Sequence, residues 1–251
     1  MKRILAFDMD DTLTDTKTPV TSRMAKILGD ALDNFDVCII SGASFEQFKI
    51  QMIDHLSFNP IRLEKLHLMP TCGTRYYKYN ETKKDWDLQY KEDLTDNEAD
   101  RITKALEESA KELGFYPKNP AGKVIENRQS QVTFTGLGHD AEYDAKHAWD
   151  PDGKKRQAIC ELFAKKVPEF EARVAGTTSI DVTKPGVNKA HGISKLIDIL
   201  NVSDKDLLYF GDKLEEDGND YPVKALGVDT IAVKGWQDTA ARLEAILAVI
   251  K

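Results

Sequence analysis

Three cysteines among 251 residues, Cys38, Cys72 and Cys160, are too few and too scattered for a disulfide framework, and an odd number cannot all pair internally. Cys38 lies in an apolar run, so the thiols read as buried and free, and a reducing cytoplasm is the compartment that fits. No apolar stretch approaches the length needed to span a bilayer, so no membrane role is expected. The start offers no signal-peptide core, because Asp8, Asp10 and Asp11 follow the first short apolar run at once. Positive charge is also scarce: 35 Lys and Arg against 42 Asp and Glu leave a net charge of −7. No surplus field exists to track phosphates, so no nucleic-acid partner is expected. Internal repeats and low-complexity tracts are absent as well.

What the chain does contain is a globular composition, 41% hydrophobic and 31% charged, at a length that suits one large domain or two small ones. Residues 3–7 form a continuous apolar run, suited to a strand buried on both faces. A helix is predicted over 22–32, a second buried strand over 37–40, and a helix from the spacing of Phe45, Phe48, Met52 and Leu56. From Tyr76 the texture changes. The alternation through Tyr77, Tyr79, Trp86, Leu88 and Tyr90 predicts a hairpin turning at 80–84. Thr95 and Glu98 form a capping box ahead of a helix carrying Ala99, Ile102, Leu106 and Ala110, closed by Gly114. Strands over 124–128, 131–137 and 178–183 and a charged helix over 154–166 follow. The first texture then returns, with a helix through Ile193 and Leu196, strands over 207–210 and 230–233, and a closing helix. The expected fold is α/β: a Rossmann-like core with a parallel sheet and helices on both faces, built from 1–80 and 184–251, plus an inserted α+β domain over 81–183.

Polar residues gather just past the carboxyl ends of the buried strands, where a doubly wound sheet binds its ligands. Asp8, Asp10, Asp11 and Thr12 follow the first strand, Ser41 and Gly42 the second, and Gly211, Asp212, Asn219 and Asp220 the strand over 207–210. Lys189 opens the helix after the insert. Carboxylates crowded at one end of a sheet repel each other, and a hard divalent cation such as Mg²⁺ relieves this. Carboxylates, a lysine and a serine around Mg²⁺ and phosphate describe phosphoryl transfer. Each residue alone has a plainer reading: an Asp after a strand is usually a turn residue or helix cap, Ser41 a helix-entry residue, and Lys189 a solvated charge. The coincidence of four such sites argues for chemistry. A phospho-receiver module uses similar residues, but it carries its phosphorylated Asp on a later strand and has no large insert. His147, Asp150 and Asp152 near Gly153 read as a capping turn before Lys154 rather than a metal loop.

At these residues the sequence resembles the haloacid dehalogenase (HAD) superfamily. Its D-x-D-x-T motif is matched by Asp8, Asp10 and Thr12, its strand-end Ser or Thr by Ser41, its Lys by Lys189, and its G-D with a following N-D by Gly211, Asp212, Asn219 and Asp220. The insert looks like the α/β cap of subfamily IIB. Over nearly the whole chain the likeness sharpens to the eukaryotic-type phosphomannomutases, whose F-I-E-F-R-N-G and I-S-F-D-V patterns resemble residues 124–130 and 178–182.

The resemblance implies a Mg²⁺-dependent enzyme acting on a small sugar phosphate. Asp8 would attack phosphorus, Asp10 would act as general acid and then base, and Thr12 would orient that pair. Ser41, with Gly42 beside it, and Lys189 would hold the transferring group. Asp8, the Asp10 carbonyl and Asp212 would bind the metal, supported by Asn219 and Asp220. Arg128, Ser179 and Asp181 would bind the sugar phosphate from the cap, which would close to exclude water. Phosphomannomutases often form a homodimer through the cap, and that expectation carries over. Three Arg positions that ring the substrate in phosphomannomutases fall at Lys17, His139 and Lys146. Neither Lys nor His offers the planar guanidinium fork. A mutase holds a sugar with phosphate at either end, so weaker clamps favour release to water and a phosphatase. Phosphomannomutase, interconverting mannose 1-phosphate and mannose 6-phosphate, is the alternative; a phospho-ligand binding protein without catalysis is the remote one, since every catalytic position is filled.

Overall fold

β1 (Ile4–Phe7) is buried along its whole length because its two faces feed two cores. Leu5 and Phe7 pack with Val37, Ile39, Leu68 and Phe210, whereas Ile4 and Ala6 pack with Cys38, Ile40, Leu207 and Tyr209. Burial on both faces is the reason these strands read as unbroken apolar runs. The structure, a computed structural model, describes residues 2–250. One unit comprises Met1–Lys91 and Val187–Lys251, the other Glu92–Gly186.

In the first unit β1 is followed by α1 (Ser22–Leu32), β2 (Asp36–Ile40), α2 (Phe45–Gln51), α3 (Pro60–Glu64), β3 (Leu66–Met69), β4 (Arg75–Asn80) and β5 (Asp85–Lys91). The second unit holds α4 (Asp96–Glu112), β6 (Ile125–Asn127), β7 (Val132–Thr135), α5 (Tyr143–Trp149), α6 (Lys154–Lys166), β8 (Glu171–Ala175) and β9 (Ser179–Thr183). The first unit resumes with α7 (Lys189–Leu200), β10 (Leu207–Gly211), α8 (Tyr221–Ala225), β11 (Asp229–Ala232) and α9 (Trp236–Val249).

The first unit's sheet has the order β11-β10-β1-β2-β3-β4-β5. Its first five strands are parallel; β4 pairs antiparallel with β3, and β5 antiparallel with β4. Residues of α1, α2 and α9 cover one face, and Ile193 and Leu196 of α7 with Val223 of α8 cover the other. The Rossmann-like arrangement expected from the sequence is present. Two local expectations change. The hairpin strand over 85–91, placed by the sequence in the insert, instead pairs with β4, which pairs with β3 through His67 and Leu68. The second unit therefore begins at Glu92 and not at 81. The helix read through Leu56 ends at Gln51, where Met52 leaves the helical region at φ −121°.

In the second unit the antiparallel sheet runs β6-β7-β9-β8. Val132, Phe134, Ile180 and Val182 pack against Ile102 and Leu106 of α4 and Ile159 and Phe163 of α6. The other face is polar: Glu126, Thr133, Asp181 and Arg173 stand in register across all four strands. The capping box of α4 is formed, with Thr95 Oγ1 accepting from Glu98 N at 3.2 Å and Glu98 Oε2 accepting from Thr95 N at 2.7 Å. Asp150 caps α6 as expected, accepting from the backbone N–H groups of Lys155 and Arg156 and from Arg156 Nε at 2.8 Å. The three cysteines are free; burial pushes the Cys160 thiol up to about 12 and raises Cys38 further. Among the described residues no helix is long and apolar enough to cross a membrane.

Candidate active site

Parallel pairing in register sets the site. Phe7 stands beside Ile39 on β2 and Phe210 on β10, so Asp8, Ser41 and Asp212 leave three neighbouring strands at the same edge. Asp8 is buried, and its N–H bonds the carbonyl of Phe210 at 3.0 Å. Lys189, the first residue of α7, is 2% exposed and places Nζ 2.7 Å from both Asp8 Oδ1 and Asp220 Oδ1. Asn188 starts that helix by accepting from His191 N at 3.1 Å.

Both carboxylate oxygens of Asp220 are already engaged. Its Oδ1 accepts from Lys189 Nζ and, at 2.5 Å, from the hydroxyl of buried Tyr209, and its Oδ2 accepts from Lys213 N at 3.1 Å. Gly211 makes this approach possible, because a Cβ there would lie 2.5 Å from Asp220 Oδ2 and 2.9 Å from Tyr209 Cε1. Asp220 thus fixes Lys189 more than it awaits a ligand. Asp212 is the opposite case, since its Oδ1 is buried with no hydrogen-bond partner among the described residues. Asp8 Oδ1 also accepts from Met9 N at 2.7 Å, and its Oδ2 accepts no bond from the described residues.

Electrostatics follow from this crowding. Burial, with the charges of Asp220 and Asp212, pushes the Asp8 carboxyl up to about 8 despite Lys189. Burial also raises Asp212, helped by Asp220. Burial would pull Lys189 down, but the carboxylates of Asp8 and Asp220 outweigh it and hold the ammonium well above its ordinary range. Burial and Asp220 keep Tyr209 protonated, as its donated bond requires. Asp8, Asp212 and Asp220 each offer an oxygen within 4.8 Å of the others. Three convergent carboxylates, one with an orphaned buried oxygen, fit a hard divalent cation.

Around this cluster the sequence-predicted residues divide. The Asp10 side chain turns to Lys17 N at 2.8 Å and Gln51 Nε2 at 3.0 Å, both on Oδ1. Thr12 is fully buried, but its hydroxyl bonds neither carboxylate; Met9 N, Lys17 N and Gln51 do the orienting. Asp11 sits at φ 57°, a conformation at which glycine is at ease and Asp is tolerated, with its carboxylate held by Thr16. Ser41 is buried beside Gly42, and its Oγ accepts from Ala43 N at 3.1 Å. Asn219 is exposed, and its side chain makes no hydrogen bond with the described residues.

In the second unit Asp181 accepts from Thr133 Oγ1 at 2.8 Å, and burial raises its carboxyl against the opposing charge of Arg128. Arg128 Nε donates to Glu126 Oε2 at 2.8 Å, and Ser179 shares the polar face with Asp181. Lys146 Nζ donates to the carbonyl of His139 at 2.8 Å, so these two lie together, while Lys17 belongs to the first unit. Sequence reasoning missed Tyr209 and Gln51. A tyrosine inside a strand buried on both faces had to find a partner for its hydroxyl, and that signal was available.

Residues 5–222 match the family model of the haloacid dehalogenase-like hydrolases. The chain belongs to this family of enzymes and is a phosphotransferase. It is 25% identical to a probable phosphomannomutase of Caenorhabditis elegans over 98% of this chain and 96% of the relative. Among solved structures it is similar to the IMP-bound, N-terminally truncated IMP-nucleotidase of Plasmodium falciparum (TM-score 0.70, 18% identity, 98% of this chain and 68% of that one). It is also similar to a haloacid dehalogenase-like hydrolase from Bacteroides thetaiotaomicron (TM-score 0.65, 13% identity, 98% of this chain and 100% of that one).

Proposed function

We propose that the protein is a phosphomonoester hydrolase acting on a sugar phosphate through an aspartyl-phosphate on Asp8. The observation that carries this reading is the buried chain Asp8–Lys189–Asp220 with the unsatisfied Asp212 beside it. Asp8 Oδ2, which accepts no hydrogen bond from the described residues, is free to attack phosphorus. As the new P–O bond forms, the bond to the leaving sugar oxygen breaks, and that oxygen takes a proton from Asp10. Water then attacks, gives its proton to Asp10 and releases phosphate from Asp8. Lys189 and Ser41 hold the phosphoryl oxygens and offset their charge. Asp8, the Asp10 carbonyl and Asp212 would hold Mg²⁺, which supplies charge neutralisation at the phosphate; Asn219 and Asp220 would support it. Arg128, Ser179 and Asp181 would bind the sugar. Three free thiols favour a reducing cytoplasm.

Release to water is favoured over return to a sugar because Lys17, His139 and Lys146 stand where phosphomannomutases carry arginines, and Lys146 is already tied to a backbone carbonyl. The mutase reading keeps one specific support, the match to a phosphomannomutase across 98% of the chain. Mannose 1-phosphate, supplied with and without a hexose bisphosphate, separates the two. Free phosphate without mannose 6-phosphate supports the hydrolase, and the converse overturns it. Asp8→Asn should lower turnover by at least about 10³-fold, with an unchanged circular-dichroism spectrum. A variant as fast as the parent removes the nucleophile assignment.

A further inference from the structure

Gln51 ends α2 with a side chain only 3% exposed. Its Nε2 donates to Asp10 Oδ1 at 3.0 Å and reaches the carbonyl of Thr18 at 3.4 Å, while its Oε1 is buried with no partner among the described residues. A buried amide with one end unsatisfied is a poor packing element, and an aliphatic side chain would fill the space without that penalty. What the amide provides is a donor aimed at Asp10. A second donor reaches the same oxygen: Lys17 adopts φ 58°, and its N–H lies 2.8 Å from Asp10 Oδ1. The segment between these groups is tied to α2 by the bond from Val20 N to Gln51 O at 2.7 Å. Asp10 Oδ1 therefore takes two N–H donors, and Oδ2 takes none from the described residues.

We propose that Gln51 is the positioning residue for Asp10, clamping Oδ1 so that Oδ2 alone gives up and recovers the proton. The proposal rests on the reading of Asp10 as general acid and base. In the first step the proton leaves Asp10 Oδ2 for the departing oxygen as the bond from that oxygen to phosphorus breaks and Asp8 bonds phosphorus. In the second step water loses a proton to Oδ2 as its oxygen bonds phosphorus and the bond from Asp8 breaks. A carboxyl held on one oxygen presents the other in a fixed direction through both steps, which is where orientation gains rate.

Leaving-group dependence reads this role directly. Gln51→Met keeps length and burial but removes the donor, and Gln51→Glu keeps the shape and puts an acceptor against the carboxylate. Each is assayed on p-nitrophenyl phosphate, whose leaving group departs without a proton, and on mannose 6-phosphate, whose sugar oxygen needs one. For Gln51→Met, kcat/KM should fall about tenfold or more on mannose 6-phosphate and by only a small factor on p-nitrophenyl phosphate, with Gln51→Glu lower still in the same pattern. Asp10→Asn is the reference. If it lacks the leaving-group dependence, Asp10 is not the acid, and the reading of the site and the role of Gln51 both fall. If Asp10→Asn has it while both Gln51 variants lose the two substrates equally, or lose neither, Gln51 only packs and the proposal alone is overturned.

Discussion

Replacing Lys189 by Met removes a buried cation from among three carboxylates while keeping the length of the side chain. Nζ lies 2.7 Å from oxygens of both Asp8 and Asp220, and no part of the residue is more than marginally exposed. Removing one partner from such a buried set costs about 3–5 kcal/mol, because the remaining charges stay in the interior uncompensated. The pH dependence supplies a sharper test. A carboxyl whose folded pKa stands above its unfolded value contributes stability that is full below the unfolded value and lost as pH rises through the folded one. For Asp8 in the metal-free parent that window runs from 3.8 to about 8. Both proteins should therefore lose stability across this range in parallel. Above it the parent has released its proton, whereas the variant, lacking Lys189, holds Asp8 protonated to higher pH and continues to fall. The deficit should widen there by up to about 1.4 kcal/mol per pH unit. Urea unfolding followed by the fluorescence of Trp86 and Trp236, which pack on the first unit's core, with chelator present and between about pH 6 and about pH 10, measures it. Equal midpoints, or curves that stay parallel to the alkaline end, would refute the reasoning.

Mg²⁺ should raise the unfolding midpoint of the parent more at about pH 8 than at about pH 5, since a bound cation needs ionised carboxylates; a larger effect at the acid end contradicts the metal assignment. Gly211→Ala should cost about 1–3 kcal/mol and slow turnover, because its methyl group would displace Asp220 and loosen Lys189; parental stability and rate would refute this. Arg156→Met should destabilise the second unit by about 3–5 kcal/mol, since it strands buried Asp150 and releases the carbonyl of Ala175. Denaturation followed at Trp149, which packs in that unit's core, reports it, and an unchanged midpoint argues against the pair.

Legibility tracked how local each determinant is. β1, β2 and β10 were readable because strands buried on both faces are unbroken apolar runs, and α4 because its capping box lies within four consecutive residues. Sheet membership was not readable for 85–91. Alternation announces a strand, but its place in the seven-stranded sheet depends on β3, itself unread because Leu66–Met69 is short and interrupted by His67. β8 escaped for a similar reason, with Glu and Arg inside an edge strand. At the site, Asp8, Ser41 and Asp212 were legible as residue types at strand ends, and Lys189 as one at a helix entry. The division of labour between Asp212 and Asp220 was not, because only the folded arrangement decides which carboxylate is already engaged.

β1 and β10 are hydrogen-bonded neighbours although they lie far apart in the sequence, with the whole second unit encoded between them. On a ribosome, Glu92–Gly186 emerges as one contiguous stretch and can collapse while translation continues. The sheet holding Asp8 must wait for 207–232 to appear, leaving its early strands with open edges meanwhile. Chains stalled after Gly186 should accordingly resist protease across the second unit and be cut within 1–91. Uniform resistance would show that the early strands find shelter without their late neighbours. The edge that carries Asp8 is thus complete only once 207–232 has appeared, and the vulnerable interval is the time spent awaiting those strands.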